Sequence, residues 1–364
     1  MRILTQTLIV GTALATVSIA GASAQDLTIV SWGGAYSESQ ERAYNEPFMA
    51  ENSGVTIQMD DQAANGLAGI RSQVEAGNVT WNVVDMLQGP AVLACDEGLI
   101  EEVDWDRLAP APDGTPSRED FIEDTTGDCF IPQILYATLF AYDAEAFPDG
   151  GPQTVADVFD LEAFPGKRSL QRIPAGNLEW ALVADGVPAS EVYEVLDTDE
   201  GIQRAFDKLE TIKDEVIWWE EGAQPPQLLA DGEVTIATGY NGRFFDAQVN
   251  ESQPIELMWD GQLFEVDGWV IPVGNEDKLD LIYEYLNFAT DTQRLADQAK
   301  FISYAPARQS SVPLVGAHED TGVDMKPHMP TTPENFKNPI QKDPEWWADN
   351  GDEMSERFNA WLAS

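Results

Sequence analysis

The chain has 364 residues, and its 64 acidic and 20 basic residues give a formal net charge of −44 at pH 7. Nucleic acids and anionic membrane surfaces are expected to be poor partners, because such a charge repels both. The carboxylates are spread along the whole chain, so we interpret them as a solvated, salt-tolerant surface that suits a saline habitat; attraction of a cationic ligand is the alternative explanation.

The N-terminal segment has the pattern of a signal peptide. Met1-Arg2 precedes a run of apolar or small residues, Ile3–Ala20, which leads into Ala22-Ser23-Ala24. This pattern predicts cleavage after residue 24, with Gln25 as the mature start. A transmembrane anchor is disfavoured, because the apolar core is short for a span of about 20 residues and contains hydroxyl groups. No cysteine follows the cleavage site to carry a lipid, so we predict a signal peptide at residues 1–24 and a freely diffusing periplasmic protein.

Strands and helices alternate along the mature chain. The first predicted elements are, in order, a strand at Leu27–Ser31, a helix at Glu38–Glu51 that Pro47 should kink, a strand at Val55–Met59, a helix at Gly66–Ala76 and a strand at Val83–Leu87. This order predicts a parallel sheet covered by helices. Later elements are helices at Leu178–Ala184, Ser190–Leu196 and Gly201–Lys213 and strands at Val234–Thr238 and Val266–Ile271. We therefore expect a second α/β lobe.

Two extended apolar segments, Ile131–Tyr142 and Phe264–Pro272, are predicted to cross between the lobes. Two crossings form a hinge, and a hinge lets a cleft close on a ligand. We predict a two-lobed α/β fold with a ligand cleft between the lobes. The expected boundaries are residues 25–135 and 272–312 for the first lobe, and residues 136–271 and 313–364 for the second. Within the second lobe, Val312–Pro344 is expected to be irregular and Asp352–Leu362 helical.

Cys95 and Cys129 are the only cysteines in the chain. An even number of cysteines in an oxidising compartment predicts a disulfide bond. Closing a loop of this length would stabilise the fold by about 3–4 kcal/mol. Two separate buried thiols are the alternative.

Motifs of known catalytic chemistry are absent from the sequence, among them G-x-S-x-G, G-x-x-x-x-G-K-[ST], G-x-G-x-x-G after a strand and H-E-x-x-H. The two histidines, His318 and His328, have no metal-ligand spacing, and we expect them to be surface residues. We predict neither a metal nor a cofactor, and no enzymatic activity. A secreted hydrolase that uses the acidic cleft is the less favoured alternative.

Aromatic residues at the ends of predicted strands indicate a binding site. Trp32 and Tyr36 follow the first strand, and Tyr240 follows the strand that ends at residue 238. Ligands of open α/β sheets bind at these carboxyl ends. Glu265, Asp267 and Trp269 alternate along the second crossing and should share one face. Aromatic rings with carboxylates suit an alkyl ammonium, which gains about 0.5–2 kcal/mol over each well-placed ring; core packing is the alternative for each tryptophan.

Several motifs together resemble a known family, the extracellular solute-binding proteins of ABC importers, of the spermidine/putrescine-binding type. The resemblance covers nearly the whole mature chain and depends on these segments: Ile29-Val30-Ser31-Trp32-Gly33-Gly34-Ala35-Tyr36, Trp81-Asn82-Val83-Val84-Asp85, Phe164-Pro165-Gly166-Lys167-Arg168, Gly232-Glu233-Val234, Tyr240-Asn241-Gly242, Asp267-Gly268-Trp269-Val270-Ile271-Pro272 and Glu345-Trp346-Trp347. It implies the type II fold of periplasmic binding proteins. It also implies that Trp32 and Tyr36 enclose an amine chain, that Tyr240 occupies the place of a pocket tryptophan, and that Asp267 holds an amine.

The sequence departs from this family at several pocket positions. Glu265 stands where the family has an aromatic residue, and Trp347 stands where it has an amide. The first-lobe pocket tyrosine is replaced within Gln88-Gly89-Pro90. In the segment that supplies two acids for the far end of spermidine, only Glu179 is acidic, and Arg172 is nearby.

These departures leave two ligand classes open. The first hypothesis is that the protein captures putrescine, spermidine or a related cationic amine. The second is an amino-acid-like or opine-like zwitterion, with Arg172 near one end of the ligand; a surface location of Arg172 is the alternative. We expect a monomer whose closed form binds the membrane subunits of an ABC importer.

Overall fold

The structure is a computed structural model that describes residues 25–122 and 125–364. The predicted signal peptide at residues 1–24 lies outside these ranges. Among the described helices, none combines the length and apolar character needed to cross a membrane.

The described strands form one continuous sheet in the order β2-β1-β3-β8-β4-β7-β5-β6, with β10 beside β8 and β9 beside β4. The strands are β1 (Gln25–Val30), β2 (Val55–Asp60), β3 (Val83–Leu87), β4 (Ile131–Asp143), β5 (Arg168–Gln171), β6 (Val216–Trp219), β7 (Ile236–Tyr240), β8 (Ile255–Val270), β9 (Ala305–Pro306) and β10 (Ile340–Gln341). Strands β1–β3 are mutually parallel, as the alternating pattern predicted. Strands β5–β7 are also mutually parallel. Between these two sets lie β4 and β8, which pair with each other in the antiparallel sense.

Helices cover the sheet. They are α1 (Gly34–Gln40), α2 (Glu46–Glu51), α3 (Gly66–Ala76), α4 (Gln88–Asp96), α5 (Ser117–Asp120), α6 (Val155–Val158), α7 (Asn177–Ala184), α8 (Val192–Leu196), α9 (Asp199–Glu210), α10 (Gln224–Ala230), α11 (Asn241–Phe245), α12 (Leu279–Ala289), α13 (Thr292–Gln298) and α14 (Pro344–Leu362). A π-helical turn at Glu41–Asn45 joins α1 to α2 just before Pro47, the residue expected to kink this helix. A proline lacks the N–H that a continuous α-helix needs, so an irregular turn at this place has a physical cause.

The two long strands β4 and β8 join two hydrophobic cores. The larger core contains Ile29, Val84 and Trp269, and the second contains Phe140 and Trp180. Both strands contribute residues to both cores, which gives the two-lobed α/β architecture that the sequence predicted. The second predicted crossing, Phe264–Pro272, is part of a longer strand than expected, since β8 already begins at Ile255.

A disulfide bond joins Cys95 in α4 to Cys129, two residues before β4. The Cα atoms are 5.8 Å apart, and the bond closes a sequence separation of 34 residues. The predicted disulfide is thus confirmed. It ties the helix at the cleft side of the first lobe to the start of a hinge strand.

Candidate functional site

Trp32 and Tyr36 lie where β1 ends and α1 begins. Both are directed at Asp267 in the hinge strand β8: the Trp32 indole Nε1 donates a hydrogen bond of 2.8 Å to Asp267 Oδ2, and the Tyr36 hydroxyl donates one of 2.7 Å to the same oxygen. The turn between them contains Gly34 with a φ of +58°, a conformation that glycine adopts without steric cost. These three predicted site residues therefore meet at one point.

The carboxyl group of Asp267 is buried, with 2% of the residue exposed. No described residue donates a hydrogen bond to its second oxygen, Oδ1. Burial raises the pKa of Asp267 to about 7, although the hydrogen bonds from Tyr36 and Trp32 act in the opposite direction. An unpaired buried carboxylate oxygen costs free energy, and a ligand ammonium would supply the missing partner.

A buried polar network fixes Tyr36 from the side of the first lobe. The Tyr36 hydroxyl oxygen also lies 2.7 Å from Gln133 Oε1. The amide of Gln40 donates to the same Gln133 oxygen at 3.1 Å and to Asp85 Oδ2 at 2.8 Å. Burial raises the pKa of Asp85 well above its usual range. The phenol is thus held by partners on both sides, which restricts the geometry offered to a ligand at Asp267.

A row of tyrosine rings extends from the first lobe to the second. Ring centroids are 5.9 Å apart for Tyr36 and Tyr304, 5.9 Å for Tyr304 and Tyr136, and 5.8 Å for Tyr136 and Tyr240. Beyond Tyr240, the ring of Trp219 follows at 5.8 Å. The predicted residue Tyr240 therefore belongs to an aromatic wall, to which Tyr136 and Tyr304 also contribute.

Arg243 in α11 is a candidate that the sequence analysis did not select. A Cβ atom added to Gly34 would lie 3.3 Å from Arg243 Nη1, so the guanidinium reaches the turn after β1. Burial raises the pKa of Tyr240 and of Tyr304, and the positive charge of Arg243 opposes this rise in both. The cation therefore lies at the same strand end as Trp32 and Tyr36.

Arg243 is half-buried and has no protein partner for its charge among the described residues. Every other described arginine forms an ion pair or, for Arg168, donates to backbone carbonyls. In a chain with 64 acids, an arginine without an acidic partner is anomalous. The sequence signal was the position of Arg243, three residues after the strand-end Tyr240.

Glu265, two residues before Asp267, already has a cationic partner within the protein. Lys342 Nζ lies 2.6 Å from Glu265 Oε1, and the Tyr136 hydroxyl donates to Glu265 Oε2 at 2.8 Å. Both side chains of the ion pair are largely buried, with 21% of Lys342 and 14% of Glu265 exposed. The charge that the sequence analysis assigned to the ligand site at this position is therefore neutralised by Lys342.

Glu179 supports Trp347. It is fully buried and accepts hydrogen bonds from the Gly176 backbone N–H at 2.7 Å, the Tyr193 hydroxyl at 2.7 Å and Trp347 Nε1 at 2.9 Å. The first of these bonds caps the N-terminus of α7. Glu179 thus has partners at both oxygens, and its role in the structure is to hold the indole of Trp347, which lines a cavity.

Trp269 and Arg172, two further candidates from the sequence, both have partners within the protein. Trp269 is fully buried and packs against Tyr44 and Tyr285, at ring-centroid distances of 5.6 and 6.5 Å. It shares a strand face with Asp267, but helices of the first lobe cover that face at Trp269, so the ring does not line the cleft. Arg172 has 48% of its side chain exposed and lies 3.6 Å from Glu220.

Both histidines pack against the same aromatic ring. His318 is 5% exposed, and both His318 and His328 pack against Phe245, with ring-centroid distances of 5.7 and 4.9 Å. His318 is therefore buried rather than the surface residue expected from the sequence, and His328 is half-buried. Within the described ranges, no group of three or more His, Cys, Asp or Glu side chains is placed to hold a metal ion.

A cavity of about 220 Å³ lies beside the Asp267 site. Its lining includes Gln88, Glu265, Lys342 and Trp347. Gly89, in the segment that lacks the family's pocket tyrosine, lies against Pro344: an added Cβ atom would be 3.6 Å from it. Residues from both predicted lobes and from the hinge strand β8 line this space.

Comparison with known proteins identifies the family. A family model described as bacterial extracellular solute-binding protein matches residues 43–331. The chain belongs to this family. Membership agrees with export from the cytoplasm, with a role in binding rather than catalysis, and with a small ligand and a membrane transporter as partners.

The relatives of this solute-binding protein align with nearly its whole chain. A gamma-aminobutyric acid-binding protein of Pseudomonas aeruginosa is 36% identical over 351 residues, which cover 96% of this chain and 94% of that protein. Among solved structures, the binding protein MotA from A. tumefaciens B6 in complex with glucopine is 30% identical, with a TM-score of 0.78 over 93% of this chain and 100% of that one. The Atu4243-GABA receptor is 31% identical, with a TM-score of 0.78 over 93% and 98% of the two chains.

Proposed function

We propose that this solute-binding protein captures a small zwitterion with an ammonium and a carboxylate group, of the γ-aminobutyrate or opine type, and delivers it to an ABC importer. The observation that carries the proposal is the half-buried Arg243, which has no acidic partner and lies at the same strand end as the Trp32–Tyr36–Asp267 cluster. One site thus offers an unpaired cation and an unpaired carboxylate oxygen.

Each group of such a ligand has a matching protein group. The ammonium would donate to Asp267 Oδ1, the oxygen that accepts nothing from the protein. The carboxylate would accept from the guanidinium of Arg243, whose planar fork of donors suits a carboxylate. The tyrosine wall would cover the carbon chain between the two ends. Arg243 lies in α11 of the second lobe and Asp267 at the first-lobe end of β8, so one ligand can bridge the lobes and stabilise the closed form.

A di- or polyamine fits these groups less well. A second ammonium needs a second free carboxylate, but Glu265 is paired with Lys342, and Glu179 accepts hydrogen bonds at both oxygens. An ammonium at Arg243 would meet a like charge. The names of relatives support the zwitterion as well, since two of them bind γ-aminobutyrate and a third was solved with glucopine. We therefore favour the zwitterion over the polyamine that the sequence resemblance implied.

Isothermal titration calorimetry with four related compounds tests the proposal: γ-aminobutyrate, butylamine without the carboxylate, butyrate without the ammonium, and putrescine. We expect γ-aminobutyrate to bind at least about 100-fold more tightly than the other three, because each truncation leaves one buried charge unpaired. Glucopine in the same series shows whether a larger zwitterion is preferred. Putrescine binding as tightly as the best zwitterion would overturn the proposal.

A pair of arginine variants tests the assignment of the carboxylate end. Arg243→Gln should weaken γ-aminobutyrate binding by about 30-fold or more, since a buried charge-assisted contact contributes about 2–5 kcal/mol. Arg172→Gln is the matched control, because Arg172 is exposed and paired with Glu220. Loss of affinity in Arg172→Gln alone would show that the carboxylate binds elsewhere.

A further inference from the structure

Lys342 lies in the irregular segment before α14, beside the carboxylate of Glu265. Its ammonium lies 2.6 Å from Glu265 Oε1, and both residues line the cavity of about 220 Å³ beside the Asp267 site. It also lines a larger neighbouring cavity of about 810 Å³, whose walls include Asp96, Asp128 and Ser190. Lys342 therefore stands between two spaces that both reach the interlobe region.

The environment of Lys342 is acidic and largely buried. Burial lowers the pKa of a lysine, yet the charge of Glu265 raises the pKa of Lys342 overall, with Glu179 acting in the same direction. The Tyr136 hydroxyl binds the other oxygen of Glu265. The side chain thus places a permanent positive charge at a buried acidic position, two residues along β8 from the proposed ammonium contact at Asp267.

We propose that Lys342 is a specificity-determining residue: its ammonium occupies the acidic subsite at Glu265 and so excludes ligands with a second ammonium group. This inference rests on the proposed function, and it adds the element that rejects diamines and polyamines. Without Lys342, Glu265 would be a buried carboxylate without a cation, and such a group strongly favours a cationic partner. A receptor gains specificity by repelling the wrong ligand as well as by binding the right one.

The test is a gain of function in the mature protein. Lys342→Met removes the charge and keeps an apolar chain of similar length. By titration calorimetry, the ratio of the putrescine to the γ-aminobutyrate association constant should rise at least tenfold over that of the wild type. Lys342→Arg keeps the charge and should leave the ratio unchanged. Lys337→Met, at an exposed lysine of the same segment, controls for loss of a surface charge and should also leave it unchanged.

A double variant identifies the acid involved. Adding Glu265→Gln to Lys342→Met removes the carboxylate and should abolish the gain in putrescine binding. Should Lys342→Met fail to unfold cooperatively on heating, Lys342→Gln takes its place in the same titrations. An unchanged ratio in a folded Lys342 variant would overturn the inference while leaving the proposed function intact. The proposed function itself is tested separately, by the ligand preference of the wild type.

Discussion

The chemistry of the candidate site depends most on a single residue, Asp267. Its two oxygens have different surroundings: Oδ2 accepts from Trp32 and Tyr36, while Oδ1 accepts from no described residue. In the unliganded protein, burial therefore favours the protonated acid. A ligand ammonium that binds at Oδ1 favours the ionised form of Asp267. Ligand and proton therefore compete for this carboxylate.

This competition predicts a pH dependence of binding. Burial raises the pKa of Asp267 from 3.8 to about 7, and an amine binds the carboxylate form. Affinity for γ-aminobutyrate should therefore be greatest above pH 7 and should fall about tenfold for each pH unit below it. Between pH 8 and pH 5 the ligand ammonium stays charged, so it does not contribute to this change.

Calorimetry at pH 8, 6 and 5 measures this dependence. Asp267→Asn is the control: it should bind weakly at every pH, with a flat profile. An equal dissociation constant for the wild type at pH 8 and pH 5 would contradict the role of Asp267.

Part of this site was predictable from the sequence at the level of single residues. Positions after predicted strands, together with the family resemblance, indicated Trp32, Tyr36 and Asp267. The structure brings these three residues into contact. Arg243 was not selected, because nothing in a sequence shows whether a charged side chain has a partner. Glu265 was selected as a ligand-facing charge, but its partner Lys342 is 77 residues away in sequence.

At the scale of elements, the disulfide joins α4 to the segment that leads into β4. Gln88 at the start of α4 lines the cavity, and β4 carries Tyr136 of the aromatic wall. The bond thus connects an element of the cleft with an element of the hinge. Its stabilising effect can be separated from its effect on binding.

We predict that Cys95→Ala with Cys129→Ala lowers the free energy of unfolding by about 3–4 kcal/mol, because the unfolded chain loses the constraint of a loop of 34 residues. Urea denaturation followed by tryptophan fluorescence measures the difference. Wild-type protein in dithiothreitol should match the double variant, and wild-type protein without the reductant serves as the reference. Equal midpoints for all three samples would show that the bond adds no stability.

At the scale of the whole molecule, the two lobes approach each other at Gly34 and Arg243. Gly34 has a φ of +58°, and an added Cβ would lie 3.3 and 3.6 Å from the two terminal nitrogens of Arg243. An alanine side chain at this position would therefore shift the guanidinium proposed to bind the ligand carboxylate by a few tenths of an ångström. In the proposed binding mode, lobe closure and ligand contact would both depend on this small gap.

Gly34→Ala should consequently weaken γ-aminobutyrate binding about tenfold, which is about 1.4 kcal/mol. Gly77→Ala is a matched control, since Gly77 has a φ of +61° and an added Cβ would meet nothing within 4 Å. Both variants should lose about 1 kcal/mol of stability from the positive φ, as measured by thermal unfolding. An equal loss of affinity in both would attribute the effect to backbone strain rather than to Arg243.

The sequence by itself determined the local properties of this protein. Hydrophobic periodicity and strand–helix alternation predicted β1–β3, α3, α7 and the two-lobed α/β class, and the pair of cysteines predicted the disulfide. These features depend on neighbouring residues or on composition, so a linear pattern records them. The same patterns missed the short strands β5 and β6, whose four residues each are too few to establish a period.

Only the tertiary structure decided which charges are paired. Lys342 neutralises Glu265, Glu179 accepts hydrogen bonds from Tyr193 and Trp347, and Trp269 lies in the core. Arg243 is left without an acidic partner in a strongly acidic chain. These pairings join residues far apart in sequence, and their energies depend on distance and burial. Export, lobes and strand-end aromatics were therefore predictable, whereas the charge pattern that favours a zwitterion over a polyamine required the fold.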